Sequence, residues 1–272
     1  MKGELTLMAV HAHPDDEALF TGGVLARCAA RGIETVVVTC TGGELGFGPR
    51  GVTPGEPGHD PGEVARIRRR DLEESCRILG VTHLERLGYH DSGMTGWPQN
   101  SAPGAFASVP TAEASTRLGE LMELYRPDVV VTYDADGFYG HPDHVQAHRI
   151  TVAATDATGI PSKLYYVTVP RSALAGFVEL ASSYGVALPG WLEGASELGT
   201  EDALIAAGVD CSEVVATKFA ALGAHRSQED IAFFIDLGLP LYSEIFSVEH
   251  YVRARDRTGA GLPEEDLFAG LA

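Results

Sequence analysis

Two histidines and three carboxylates crowd the stretch His11-Ala12-His13-Pro14-Asp15-Asp16-Glu17. Carboxylates this dense repel one another unless a cation or a proton relieves them, so the stretch points to a metal site or an acid/base site. A second cluster, His141-Pro142-Asp143-His144, lies far along the chain. One His-Pro-Asp is common at turns, because Pro and Asp favour turns and caps. Two of them, each placed after a strongly apolar run, are much harder to dismiss as coincidence. A catalytic zinc takes three N or O protein ligands and keeps one position open for water. His13, Asp16 and His144 offer two imidazoles and one carboxylate for that role. Asp15 is then left beside the metal as a base, and His141 as an acid or electrostatic partner.

The elements that must position these groups are readable from hydrophobic patterning. Residues 5–10 form an apolar run that predicts a buried strand, and 17–30 a helix stopped at Gly32. Residues 34–40 are β-branched and nearly all apolar, as central parallel strands are. A Gly/Pro-rich loop fills 41–62, and its length marks it as functional or mobile. An amphipathic helix over 63–79 ends at Gly80, and a short strand follows over 82–87. A second long loop, 88–110, leads to a helix capped by Thr111 and running to 125. Then come a strand over 129–133, a helix from Pro142 to about 157, and a strand over 163–169. This alternation predicts an α/β, Rossmann-like fold: a mostly parallel sheet with helices on both faces. Both clusters then sit at the C-terminal ends of strands, where such sheets bind ligands. The first turn has no G-x-G-x-x-G and carries acids where a pyrophosphate needs N–H groups, so a dinucleotide site is a poor reading.

Beyond Pro170 the pattern weakens. It suggests a helix over 172–184, irregular chain over 185–200, a helix over 212–222 capped by Ser212, a strand over 244–252 and a loosely ordered final twenty residues. We read one domain over 1–272, with an α/β core (1–169) and a C-terminal portion (170–272) that covers the site. The chain has 272 residues, 44% of them hydrophobic, and a formal net charge of −18. Such an acidic surface repels phosphate backbones and anionic membranes, which argues against nucleic acid and membrane partners. No stretch approaches the roughly 20 apolar residues of a membrane span, and the N-terminus lacks a secretory pattern. The expected location is the cytoplasm, and a homo-oligomer is compatible with the sequence. The four cysteines, Cys28, Cys40, Cys76 and Cys211, are scattered without a C-x-x-C pair and read as small core residues.

Ala12-His13-Pro14-Asp15-Asp16-Glu17 together with Gly140-His141-Pro142-Asp143-His144 resembles the LmbE-like (PIG-L-type) family of zinc-dependent N-acetylglucosaminyl deacetylases. Within that family the chain is similar to the enzymes of mycothiol metabolism, a biosynthetic deacetylase and an amidase of mycothiol S-conjugates. The likeness extends through Val38-Thr39-Cys40-Thr41-Gly42-Gly43-Glu44, Asp91-Ser92-Gly93-Met94, Thr132-Tyr133-Asp134 and Tyr139. It thins after Val169 and returns weakly at Ala224-His225-Arg226-Ser227-Gln228 and Asp266-Leu267-Phe268. The resemblance implies Zn2+, with Fe2+ as the other candidate, on His13, Asp16 and His144. It implies Asp15 as general base, His141 as a second catalytic histidine tuned by Asp143, and Tyr139 as an active-site tyrosine. It places Arg68 and Asp91 on sugar hydroxyls, with Met94 on the same substrate side. Asp136 stands where the mycothiol enzymes have Asn. Ala18-Leu19-Phe20-Thr21 lacks the lysine of the amidase, which counts against conjugate cleavage.

The expected function is metal-assisted deacetylation of a small N-acetylglucosaminyl substrate. The alternatives are an amidase acting on a mycothiol S-conjugate or another N-acyl glycoside, and a non-catalytic metal or sugar binder. The binder is disfavoured because it needs none of Asp15, Tyr139 and His141. Among the remaining residues, His11 reads as a structural strand-end histidine and Glu17 as a support for the turn. Trp97 and Trp191 read as loop anchors. Arg69 and Arg70 read as a solvated helix face. His225 reads as a helix C-terminal histidine favoured by the dipole, with Gln228 near it.

Overall fold

The computed structural model describes residues 5–188 and 199–271. The strand β1 (Thr6–His11) is buried at every position. It lies between β2 (Glu34–Thr41) and β4 (Val129–Thr132) and pairs parallel with both. A strand with parallel neighbours and covered faces has no solvent side, so these segments are unbroken apolar runs. With β3 (His83–Tyr89), β5 (Lys163–Thr168), β6 (Ala207–Asp210) and β7 (Val248–Asp256), the sheet among the described residues has seven strands in the order β3-β2-β1-β4-β5-β7-β6. The last two pairings, β5 with β7 and β7 with β6, are antiparallel. This is the mostly parallel α/β sheet expected from the sequence.

The chain winds outward from β1 to β3 and then returns to β4, beside β1. Right-handed crossovers therefore put α1 (Asp16–Ala30) and α2 (Pro61–Leu79) on one face, and α5 (Pro142–Thr158) on the other. The helix α3 (Thr111–Tyr125) packs on α5, while α7 (Val215–Ala224) packs on α1 and α2. The reversal between β1 and β4 is a topological switch point, where the loops leaving neighbouring strands diverge and open a crevice. Both His-Pro-Asp segments leave the sheet there. The second is preceded by the short helical turn α4 (Gly137–Gly140).

The remaining helices are α6 (Arg171–Ser183), α8 (Glu229–Asp236) and α9 (Gly238–Phe246). Several expectations for this region are corrected. The last strand begins at Val248 rather than 244, because residues up to Phe246 belong to α9. Ser212 does not cap a helix. Its N–H donates to Asp210 Oδ1 (2.9 Å), and α7 begins only at Val215. Likewise α3 begins at Thr111 itself, with Pro110 in the cap position. The final residues are anchored, not loose. Glu264 is buried and accepts from Lys163 Nζ (2.5 Å), Tyr165 OH (2.6 Å) and Arg253 Nη1 (3.0 Å), and Leu267 and Phe268 are buried beside it. An ion-pair anchor of this kind has no hydrophobic periodicity to announce it. Part of the expected irregular stretch, and Trp191 within it, lies outside the described residues. No helix among the described residues is long and apolar enough to cross a membrane.

The four cysteines are free and buried, as core residues. A second buried ion pair ties the C-terminal strand to α7, and the same carboxylate reaches α1 through backbone N–H bonds. Glu249 Oε1 accepts from Lys218 Nζ (2.8 Å) and Gly23 N (2.7 Å), and Oε2 accepts from Val24 N and Tyr251 OH, both at 2.9 Å. Removing one partner of a buried pair leaves an uncompensated charge. Lys218→Met is expected to lower stability by about 3–5 kcal/mol in urea unfolding. A loss near zero would show that the N–H donors satisfy Glu249 without the lysine.

Candidate active site

The first turn after β1 is tightly tied down. Ala12 O accepts from Thr41 N (2.9 Å) and Thr41 Oγ1 (3.0 Å), and Ala12 N donates to Tyr133 OH (2.9 Å). His13 N donates to Asp16 Oδ2 (2.8 Å) and Asp15 N to Glu17 Oε2 (2.9 Å). Between them Asp15 adopts φ 116°, ψ −31°, a conformation that non-glycine residues rarely take. The second segment starts α5. His141 is its N-cap residue, and its Nδ1 accepts from Asp143 N at 3.1 Å. Gly137, with φ 67°, takes a turn in which a Cβ would fall 2.8 Å from the His144 Cβ.

Three donor atoms converge from these two segments. His13 Nδ1 and Asp16 Oδ2 are 3.5 Å apart, His144 Nε2 and Asp16 Oδ2 3.6 Å, and His144 Nε2 and His13 Nδ1 3.3 Å. A tetrahedral zinc with bonds of about 2.0–2.1 Å has ligand–ligand edges of about 3.3 Å, so this triangle fits one face of that tetrahedron. The three residues are almost wholly buried. On its far side, His13 Nε2 lies 3.3 Å from Asp143 Oδ2 and 3.8 Å from Asp91 Oδ1. A carboxylate behind a ligating histidine fixes its tautomer and strengthens it as a donor. Tyr133, also buried, stacks on the His144 ring at 4.1 Å.

The electrostatics match a cation site. Burial opposes a charge on His13, but hydrogen bonds to Asp143 and Asp16 and the nearby Asp91 outweigh it and raise its pKa well above the ordinary value. Burial also opposes a charge on Asp16, yet His144 and His13 hold it ionised far below the usual carboxylate range. Burial lowers His144 to about 3, leaving it neutral as a metal ligand must be. Asp16, Asp91 and Asp143 thus surround one imidazole that is itself drawn toward the cationic form. A divalent cation answers that surplus.

Asp15 stands outside the triangle. Burial pushes its pKa up to about 7, against the pull of Arg68, whose Nη2 is 2.6 Å from Asp15 Oδ2. A carboxyl group near neutrality suits a general base. His141 is lowered to about 3 by burial and by His13 and His144. Its Nδ1 accepts the α5 cap bond, so it is a neutral imidazole whose proton sits on Nε2. Its ring meets that of His13 edge-on at 4.5 Å. Tyr139 is 43% exposed at the crevice rim, with its ring 4.9 Å from His144. Desolvation of its hydroxyl, with Asp16 and Asp15 nearby, raises its pKa above the ordinary value, so the hydroxyl stays protonated.

The substrate-side candidates are placed differently from one another. Met94 is 41% exposed, with its carbonyl held by Asn100 Nδ2 (3.1 Å). Asp91 is buried, and its carboxylate accepts from Gly93 N (2.8 Å) and Leu45 N (3.1 Å), joining the two long loops. Arg68 is 5% exposed and turned inward, onto Asp15, Pro14 O (2.6 Å) and Gly43 O (2.8 Å). The Asp143 carboxylate hydrogen-bonds His13 and only its backbone N–H bonds His141, while its charge still raises the His141 pKa against burial. Asp136 is exposed, and Phe20 packs against Phe138 at 5.3 Å. Trp97 lies over Gly93, where a Cβ would meet its ring at 2.5 Å, so it does anchor the loop. His11 is buried and bonds Thr21 Oγ1 (2.8 Å), a structural role.

Sequence reasoning missed the layer behind the turn. Glu17 is wholly buried and accepts from His225 Nε2 (2.7 Å) and Ser75 Oγ (2.5 Å). His225 does sit at the C-terminus of α7, but its partner is this carboxylate. Ser75 lies on the buried stripe of α2 with Val64, Arg68, Leu72, Cys76 and Leu79. A polar residue in phase with an apolar stripe is the one local signal that could have exposed Ser75, and it marks Arg68, already a candidate, as inward-facing. Burial opposes charge on both His225 and Glu17, but their mutual attraction wins, raising the one and lowering the other.

Two outcomes are expected. Zinc raises the melting temperature of the wild-type protein and leaves that of His144→Ala unmoved; equal shifts would place the ion elsewhere. The Glu17–His225 pair contributes fully above the ordinary glutamate pKa of about 4.3 and below the ordinary histidine pKa of about 6.5. It fades as pH falls through the lowered value of Glu17 or climbs through the raised value of His225. The destabilisation caused by Glu17→Gln should therefore peak between about pH 4.5 and 6.5 in thermal melts and shrink toward alkaline pH. A loss independent of pH would mean the pair is not ionic.

Residues 8–155 match the family model described as PIG-L: GlcNAc-PI de-N-acetylase. The 1D-myo-inositol 2-acetamido-2-deoxy-alpha-D-glucopyranoside deacetylase of Salinispora arenicola is 41% identical over 283 positions, covering 97% of this chain and 91% of that protein. The protein of the same name from Acidothermus cellulolyticus is 37% identical, covering 98% and 95%. The N,N'-diacetylchitobiose deacetylase of Pyrococcus horikoshii superposes with a TM-score of 0.60 at 19% identity, covering 91% of this chain and 83% of that one. That structural likeness shows a shared fold.

Proposed function

The chain belongs to the PIG-L family of GlcNAc-PI de-N-acetylases, and from that premise we propose that it is a zinc-dependent N-deacetylase of an N-acetylglucosaminyl inositol. The substrate class comes from the relatives that align along nearly its whole length and are named for 1D-myo-inositol 2-acetamido-2-deoxy-alpha-D-glucopyranoside. One observation carries the chemistry: the triangle of His13 Nδ1, Asp16 Oδ2 and His144 Nε2, with edges of 3.3–3.6 Å, next to a buried carboxyl group poised near neutrality.

His13, Asp16 and His144 would hold the ion, which when bound lowers the pKa of water toward about 7 and polarises the acyl oxygen. The chain's own groups do the rest. Asp15 takes the proton of the attacking water, so the rate rises with pH as Asp15 ionises. Tyr139, kept protonated, donates a hydrogen bond where negative charge develops on the acyl oxygen. His141 adds a second donor through its Nε2–H. As a neutral imidazole with Nδ1 bound to the α5 cap, it holds no spare proton for the departing amine. Asp15, protonated in the first step, returns that proton to the amine.

Asp15→Asn should lower kcat by about 10²–10⁴-fold while zinc binding persists. His141→Ala should lower kcat by about 10²–10³-fold, as loss of an oxyanion donor does, and leave the basic limb of the pH–rate profile in place. A shifted basic limb would transfer the acid role to His141. The function itself is tested by incubating the zinc-loaded protein with N-acetylglucosaminyl inositol, other N-acetylglucosaminides and a thiol S-conjugate, and assaying free amine. Amine from none of them overturns the proposal, and amine from the conjugate alone replaces it with an amidase.

A further inference from the structure

We propose that His225 is a positioning residue for Asp15 and acts through Glu17, because it fixes the carboxylate that holds the peptide N–H of the base. This rests on the reading of Asp15 as the base. The chain of contacts is short and lies inside the protein. Asp15 N donates to Glu17 Oε2 at 2.9 Å. Glu17 Oε1 accepts from His225 Nε2 at 2.7 Å and from Ser75 Oγ at 2.5 Å. Glu17, Ser75 and His225 are all wholly buried. They come from α1, α2 and the end of α7, three helices that pack on one another. The other ring nitrogen of His225, Nδ1, meets no hydrogen-bond partner among the described residues, so Glu17 is what the polar edge of this ring serves.

What this chain controls is the backbone conformation of Asp15. The residue is the N-cap of α1, and its carbonyl accepts from Ala18 N (3.1 Å) and Leu19 N (3.0 Å). Its φ of 116° is a value that a non-glycine residue keeps only where its surroundings over-determine it. The helix fixes the carbonyl and Glu17 fixes the N–H, so both ends of the residue are held, and with them the direction in which its side chain leaves. A glutamate that reaches back to the N-cap N–H is a capping-box contact, ordinarily made from the third helical residue. Here it is made from the second, and in the interior, where an unmatched carboxylate is severely destabilising. His225 and Ser75 supply the donors that let Glu17 keep this geometry while buried. Asp16 makes the equivalent bond to His13 N (2.8 Å), but with Oδ2, the oxygen that also points into the metal triangle. Glu17 is thus the carboxylate of the turn that serves the backbone without entering that triangle.

The test is kinetic, on zinc-loaded enzyme with N-acetylglucosaminyl inositol, well below the melting temperature of each variant. Misplacement of a reacting group by about 1 Å costs about 10²-fold in rate, so His225→Leu should lose about that factor in kcat with KM and zinc affinity nearly unchanged. If His225→Leu does not fold, His225→Asn, whose amide is too short to reach Glu17, takes its place. His225→Gln, which presents an N–H donor on a longer stem, should recover most of the loss. Arg226→Ala, whose side chain pairs with Asp236 on the surface, should change neither constant. A wild-type kcat per folded molecule in His225→Leu would overturn the proposal in favour of a purely structural pair. A loss that follows weaker zinc binding, or a raised KM at constant kcat, overturns it as well. A crystal structure of the same variant tests the point without turnover. Asp15 should leave its positive φ, and an unmoved Asp15 overturns the proposal. If the wild-type enzyme releases no amine, the assigned function fails, while this structure still decides whether His225 sets the conformation of Asp15.

Discussion

Three consecutive carboxylates, Asp15, Asp16 and Glu17, are all buried at one turn, and everything around them answers the need to neutralise them. An unpaired charge in a low-dielectric interior is severely destabilising. Each of the three meets its own basic partner, and the partners come from different parts of the chain. Arg68 on α2 meets Asp15, His13 of the turn after β1 and His144 of α5 meet Asp16, and His225 at the end of α7 meets Glu17. The switch point between β1 and β4 makes this possible, because it lets helices from both faces of the sheet reach one turn.

The same arrangement divides labour between residues of identical chemistry. Asp15 and Asp16 are neighbours in sequence, yet burial with a single arginine leaves the first near neutrality, while two histidines hold the second ionised. Pushing the proton affinities of adjacent carboxyl groups apart is what would let one site supply both a ligand and a base, as proposed for Asp16 and Asp15. Asp143 follows the same logic at one remove. Its carboxylate stands behind His13, so a residue two places from His141 in sequence serves the histidine across the crevice.

What could be read from sequence follows from the range of the interactions. The strands around β1 are legible because burial on both faces writes itself as continuous apolar residues. The turns after β1 and β4 are legible because Pro, Asp and His at a strand end have few structural uses in common. The bond between Glu17 and His225 spans 208 positions and leaves no local trace. The anchoring of Glu264 by Lys163 and Tyr165 is equally silent, so well-packed residues pass for a loose tail. Arg68 shows the intermediate case. Its position in an apolar stripe signals an inward-facing charge, but only the fold reveals that Asp15 and two carbonyl oxygens receive it.

The pairing of Glu17 with His225 has a bearing on how the molecule comes into being. A chain leaves the ribosome from its N-terminus, and domains fold as units in that order. The turn that bears Asp15, Asp16 and Glu17 emerges almost at once, whereas α7 emerges more than two hundred residues later. Until then Glu17 lacks its histidine, and until β7 follows, Gly23 and Val24 of α1 lack Glu249. The segment made first is thus the last to be completed, and a nascent chain ending at β5 carries His13, Asp16 and His144 while Glu17 beside them still lacks its partner. The support behind the opening turn is in this sense a property of the finished polypeptide, conferred by its final quarter on its opening residues.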